Sequence, residues 1–171
     1  MQTGVEGQSL TPEDQLFILL QAGLYLIATR GFSTPGARIC LERAESLCHS
    51  LNRPLLLYSA LIGQWRYSLY TDKLTRTMQI AQRVYSLAQE QNDSAIMIGA
   101  YRALAGALYY LGDFESARRY ANCGLQIWRS EGVQSPVEEV SAPAVCAMRL
   151  YSSGISERST LAKRPWRKGS H

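Results

Sequence analysis

"ALYYLGDFESARRYANCGLQI", residues 107–127, alternates small residues with large apolar ones. Gly112-Asp113 sits in the middle, where a helix would end and another begin, because glycine takes the left-handed conformation cheaply and aspartate caps a new helix. Beyond the turn, Ala117, Ala121 and Gly124 recur at spacings of four and three. That spacing puts them on one helical face. A face of small side chains lets a neighbouring helix come close.

The same face recurs twice upstream. "ARICLERAESLCHSLN" (37–52) and "TMQIAQRVYSLAQEQN" (77–92) align with "ARRYANCGLQIWRSEG" (117–132) at a period of about forty residues. Ala37, Thr77 and Ala117 coincide, then Leu41, Ala81 and Ala121, then Ala44, Val84 and Gly124, then Leu47, Leu87 and Ile127. Each of these helices follows another apolar helix, expected at Pro12–Thr29, Pro54–Tyr70 and Ser94–Leu111. Thr11-Pro12-Glu13-Asp14 supplies a capping hydroxyl, a first-turn proline and acids for the positive helix end. Thr34-Pro35 repeats the device, Asp93 is placed to cap the third pair, and Gly31 and Gly112 mark helix ends. Connections this short make consecutive helices antiparallel hairpins.

The reading is an all-α chain of about three antiparallel helix pairs plus a partial fourth. The units fall at about 11–52, 53–92, 93–132 and 135–151, after a flexible N-terminus at 1–10. The fourth unit starts either at the capping box Ser135-Pro136-Val137-Glu138 or, because Pro143 interrupts a helix begun there, at Ser141. Residues 152–171 lack periodicity and read as a basic, disordered tail.

Of 171 residues, 46% are hydrophobic and 19% charged, a globular balance. The net charge of +4 is the surplus of Arg158, Lys163, Arg164, Arg167 and Lys168 over Glu157, so the body before the tail is neutral. A neutral body lacks the basic face that nucleic-acid binding requires. The most apolar run, Leu16–Ala28, is too short to span a bilayer and contains Gln21. Met1–Gln8 is polar and has no basic start, so a secretory leader is not expected. Cys40, Cys48, Cys123 and Cys146 form no Cys-x-x-Cys pair, and His49 and His171 are the sole histidines. They read as reduced core cysteines of a cytoplasmic protein, with no metal site.

Residues 101–125 resemble a tetratricopeptide repeat. Tyr101, Leu104, Ala105, Leu108, Gly112, Phe114, Ala117, Ala121 and Gly124 occupy that pattern's places in order, with Gly124 where alanine is usual and Ala121 where an aromatic is usual. The forty-residue period is longer than the standard unit. It is similar to the helical arrays of large bacterial signalling proteins, in which a nucleotide cyclase or kinase domain and an ATPase domain precede the array. Residues 31–69 and 110–145 look most like that class, and the likeness spans about 15–148. It implies a tetratricopeptide-like superhelix that works as a non-catalytic interaction or scaffold module, a fragment of a larger signalling protein. The alternative it implies is a sensor region regulating an adenylate or guanylate cyclase or an ATPase-linked transcription activator. Partners would be a protein, a peptide or adjacent domains of a parent chain.

Nothing in the sequence reads as catalytic. Glu13/Asp14 and Glu138/Glu139 sit at helix starts, where carboxylates meet the positive dipole end. His49 directly follows Cys48, and adjacent helical residues do not face each other. Phosphate-binding glycine motifs are absent, and no cofactor is expected. Aromatics gather on first helices, which line the concave side of a helical solenoid. Arg66, Tyr67, Arg102 and Tyr109 are the residues expected to face an open groove for a peptide or partner, since aromatics and arginine dominate binding hot spots. At the other end, Val145, Met148 and Leu150 of "SAPAVCAMRLY" (141–151) are expected to pack on the preceding unit, and the far side of that helix, lacking a next repeat, to leave an apolar face for self-association.

Overall fold

Helix starts are set by local chemistry that the structure makes visible. The computed structural model describes residues 10–71 and 73–131. At Thr11 the hydroxyl accepts the Asp14 N–H at 3.1 Å, and the Asp14 carboxylate accepts the Thr11 N–H at 3.2 Å. This reciprocal box starts α1 (Pro12–Arg30) with proline in its first turn. Asp93 accepts the Ile96 N–H at 2.9 Å and starts α5 (Ser94–Leu111). Asp113 does the same for Ser116 at 3.1 Å, ahead of α6 (Phe114–Glu131). That N–H holds the Asp113 carboxyl below its ordinary pKa. The remaining helices are α2 (Pro35–Ser50), α3 (Pro54–Tyr70) and α4 (Leu74–Gln91). No strand occurs among the described residues.

One cap differs from expectation. Thr34 stands at the N-cap of α2 without capping it. Its hydroxyl instead donates backward to the carbonyls of Arg30 at 3.1 Å and Gly31 at 3.0 Å, satisfying the orphan end of α1. Gly112 ends α5 with φ +86°, a left-handed turn that admits glycine without strain. Asn92 ends α4 in the same region at φ 49°.

The helices divide into two compact units, α1–α3 and α4–α6. In the first, α2 packs against both α1 and α3, and α1 also touches α3. Leu41 of α2 is the centre of this unit. It is 1% exposed, and glycines face it from both neighbours. A methyl on Gly23 of α1 would stand 3.1 Å from Leu41 Cδ2, and one on Gly63 of α3 would stand 2.7 Å from Cδ1. In the second unit, α5 packs against α4 and α6. Its core includes Ile98 and Ala105 of α5 with Ala121 and Leu125 of α6, flanked by Tyr120, Ile127 and Trp128.

The forty-residue register is a register of burial. Ala37, Thr77 and Ala117 are all buried, as are Leu41, Ala81 and Ala121, and Ala44, Val84 and Gly124. The fourth position differs: Leu87 is buried, whereas Leu47 and Ile127 are half-buried. The packing of adjacent helices is consistent with a helical repeat. The expected fourth unit, including Ser135, Glu138 and Ser141, and the basic tail at 152–171 lie outside the described residues.

Candidate functional site

The four residues expected to line a groove occupy two kinds of environment. Tyr67 and Arg102 are buried, at 8% and 7% exposure, so they offer no open binding surface. Their place on first helices suggested a groove, but each sits in a helix that buries side chains around most of its circumference. Arg66 and Tyr109 are half-buried. Tyr109 packs edge-on against Tyr110 at 5.6 Å and Phe114 at 5.4 Å, around the Gly112 turn. Tyr70, in turn, stacks on Phe32 at 4.7 Å between centroids. Ordinary inter-helix packing therefore accounts for most of the aromatic clustering.

A different place in α4–α6 has the shape of a binding site. Met78, Gln82 and Tyr85 of α4, Leu104 and Leu108 of α5, and Ser116, Arg119 and Tyr120 of α6 line a groove of about 320 Å³. The α4 residues are four and three apart, so one helical face supplies them. Tyr101 of α5 lies between the flanking tyrosines, 5.8 Å from Tyr85 and 6.0 Å from Tyr120, and makes the three rings a continuous wall. Burial, with smaller contributions from Tyr85, Cys123 and Tyr120, raises the Tyr101 pKa, so its phenol stays neutral. Arg119 and Gln82 are exposed at this groove. The site combines apolar rings, a thioether, a hydroxyl, an amide and one cation, and no carboxylate lines it. Such a set can hold an apolar group beside an acid. A second cavity, of about 410 Å³, lies between the end of α4, the start of α5 and Ile127. It is lined by Asn92 and Asp93 of the turn and borders the last turn of α6.

The cysteines are more varied than expected. Cys48 alone is buried, Cys40 and Cys123 are half-buried, and all three are free thiols, while Cys146 lies outside the described residues. Burial, then the charge of Glu45, pushes the Cys48 thiol up to about 11, which leaves it protonated and a poor nucleophile at neutral pH. His49 is exposed and points to Glu45 at 3.9 Å. Glu45 also accepts a hydrogen bond from the buried Gln64 amide of α3, whose nitrogen lies 3.4 Å from the Leu41 carbonyl as well. This polar cluster joins α2 to α3. Among the described residues no group of histidine, cysteine and acid side chains could hold a metal ion. None of the described helices is long and apolar enough to cross a membrane.

The α4–α6 groove was not found from the sequence. Met78/Gln82/Tyr85 and Ser116/Arg119/Tyr120 each carry a local helical spacing, but their convergence depends on how three helices dock. No protein-family model matches the chain, and no curated protein or solved structure matches it.

Proposed function

We propose that the chain is a non-catalytic protein-interaction module of the tetratricopeptide-like class. Its helix pairs would continue one another as a superhelix, and its binding surface would include the α4–α6 groove. The burial, in every copy, of the positions 37/77/117, 41/81/121 and 44/84/124 supports the class. The observation that carries a binding role is the groove itself: a tyrosine wall, with Met78 and the exposed Arg119 also lining the groove. Aromatic surface supplies apolar contact at low entropy cost, and arginine pairs with carboxylates through two parallel hydrogen bonds. The partner this fits is a peptide segment with an apolar or aromatic side chain next to an acidic one.

The test is selection from a random peptide display library on the purified chain. Enriched sequences should pair an acid with an apolar residue. Their binding should fall about tenfold or more with Arg119→Glu, the scale of losing a charge-assisted hydrogen bond. No enrichment over bare resin, or binding indifferent to both Arg119→Glu and Tyr120→Ala, would remove the proposal.

A further inference from the structure

The α4–α6 groove continues past its tyrosine wall. α4 and α6 both pack on α5 and, among the described residues, not on each other, so a gap floored by α5 runs between them. The cavity at Met78 and Arg119 lies toward the starts of α4 and α6, and the cavity at Asn92 and Asp93 lies toward their ends. The step from one cavity to the other is the same on every helix. Gln82 gives way to Gln89 on α4, Leu104 to Met97 on α5, and Tyr120 to Ile127 on α6. Each step is two helical turns, about 10.5 Å. Tyr101, between Met97 and Leu104 on the floor, separates the two cavities. They are successive stations of one groove.

Their charges are opposite. Among the described residues, Arg119 is the only charged residue lining the first cavity, and Asp93 the only one lining the second. Arg119 is exposed and makes no ion pair with Asp113, although its charge helps to lower the Asp113 carboxyl. Asp93 gives Oδ1 to the Ile96 N–H at 2.9 Å, which leaves Oδ2 for a ligand. The first cavity lies near the N–H ends of α4 and α6, and the second near their carbonyl ends. The dipoles of these two helices therefore reinforce both charges. Gln82, Gln89 and Asn92 stand exposed along the α4 wall. Gln89 makes one long contact, its Nε2 donating to the Tyr85 hydroxyl at 3.4 Å. A carboxamide both donates and accepts, so it can meet either group of a peptide bond. An extended chain brings peptide groups that need such partners, whereas a helix has paired its own.

We propose that the groove binds an extended peptide segment across both cavities, with an acidic and apolar pair at Arg119 and a lysine or arginine at Asp93. Three or four residues of extended chain cover about 10–13 Å, which sets the spacing of the two anchors. The proposal rests on the reading of the groove as a peptide site and adds a second, basic anchor to it.

The experiment selects a random peptide display library on the full chain and then measures the selected peptides, made synthetically, by fluorescence anisotropy. Selected peptides should carry a lysine or arginine three or four positions from the acid. Replacing that base by glutamine should weaken binding about threefold or more. Asp93→Asn should cause the same loss, because asparagine keeps the cap and removes the charge. On the Asp93→Asn chain the peptide change should then cost nothing further, the mark of a direct pair. Arg119→Glu should weaken peptides with and without the base by the same factor. Selected peptides that depend on Arg119 but lack the base, or keep their affinity for Asp93→Asn, would overturn the second anchor and leave the peptide site standing. A base seven or eight positions from the acid would make the partner a helix and overturn the extended form. No selection at all would remove both readings.

Discussion

The two units reach close helix packing with opposite distributions of side-chain volume. In α1–α3 the bulk is on the middle helix, where Leu41 fills the space left by Gly23 and Gly63. In α4–α6 the matching positions are Ala81, Ala103 and Ala121, all 0% exposed, and no residue of the three is large. The difference teaches that what the repeat conserves along the chain is the summed volume at a contact and not the residue at a position. A leucine is tolerated in a small-residue place when the facing helices give up their Cβ atoms.

The strongest way to break this comparison is to empty the first unit. Leu41→Ala should leave a cavity between two glycines that cannot fill it, at a cost of about 2–5 kcal/mol in urea unfolding. The converse change overfills the second unit. Ala81→Leu should cost about 1–3 kcal/mol, because Ala103, the counterpart of Gly23 and Gly63, keeps its methyl. Adding Ala103→Gly should recover part of that loss, and failure to recover any would show that position 103 does not face position 81.

Gly63→Ala sharpens the point through its sign. Alanine in a helix is favoured over glycine by about 1 kcal/mol, yet here its methyl would stand 2.7 Å from Leu41 Cδ1. The expected net result is a loss of about 1 kcal/mol, in line with mild overpacking. In a Leu41→Ala background the same change should become stabilising. A double-mutant cycle of thermal or urea unfolding reads this reversal directly.

The caps give a smaller contrast. Asp93→Ala should cost about 1 kcal/mol, since it frees the Ile96 N–H. Thr34→Ala should cost less, because the Thr34 hydroxyl serves carbonyls of the previous turn and caps nothing. The smallest effect is chemical and pH-dependent. Cys48 should react with a thiol reagent far more slowly than Cys40 and Cys123 in the native chain. Its raised pKa means the folded state holds the proton more tightly than the unfolded state. The associated stability is complete below about pH 9 and is lost as pH rises toward about 11. Cys48→Ala should flatten that part of the stability profile.

Helix identity was legible where a start carries its own signal, as a proline or a capping aspartate does. α3 and α5 begin and end at the residues expected, from Pro54 and Asp93 at one end to Tyr70 and Gly112 at the other. The small-residue face was legible for the same reason: three of its four positions are buried in every copy. What the sequence hid is non-local. Leu41 stands in the register with Ala81 and Ala121, and only the docked helices show that Gly63, twenty-two residues on, faces it. Tyr67 and Arg102 read as groove residues because they are an aromatic and an arginine on first helices, which does not reveal how deeply those helices are covered. Thr34 has the right chemistry for a cap, but Arg30 and Gly31 compete for its hydroxyl. The Tyr85–Arg119–Tyr120 groove exists only once three helices are docked.

In both units, helices that follow one another in the chain lie side by side, joined by turns as short as Asn92-Asp93 and Gly112-Asp113. This has a kinetic consequence. Bringing such neighbours together closes only short loops, and the entropy of closure grows with loop length. Chains dominated by local contacts cross their folding barrier in microseconds to milliseconds, whereas sheets of distant strands are slower by orders of magnitude. Each hairpin can therefore form as it is synthesised, before the next is available, and little of the chain has to wait exposed for a remote partner.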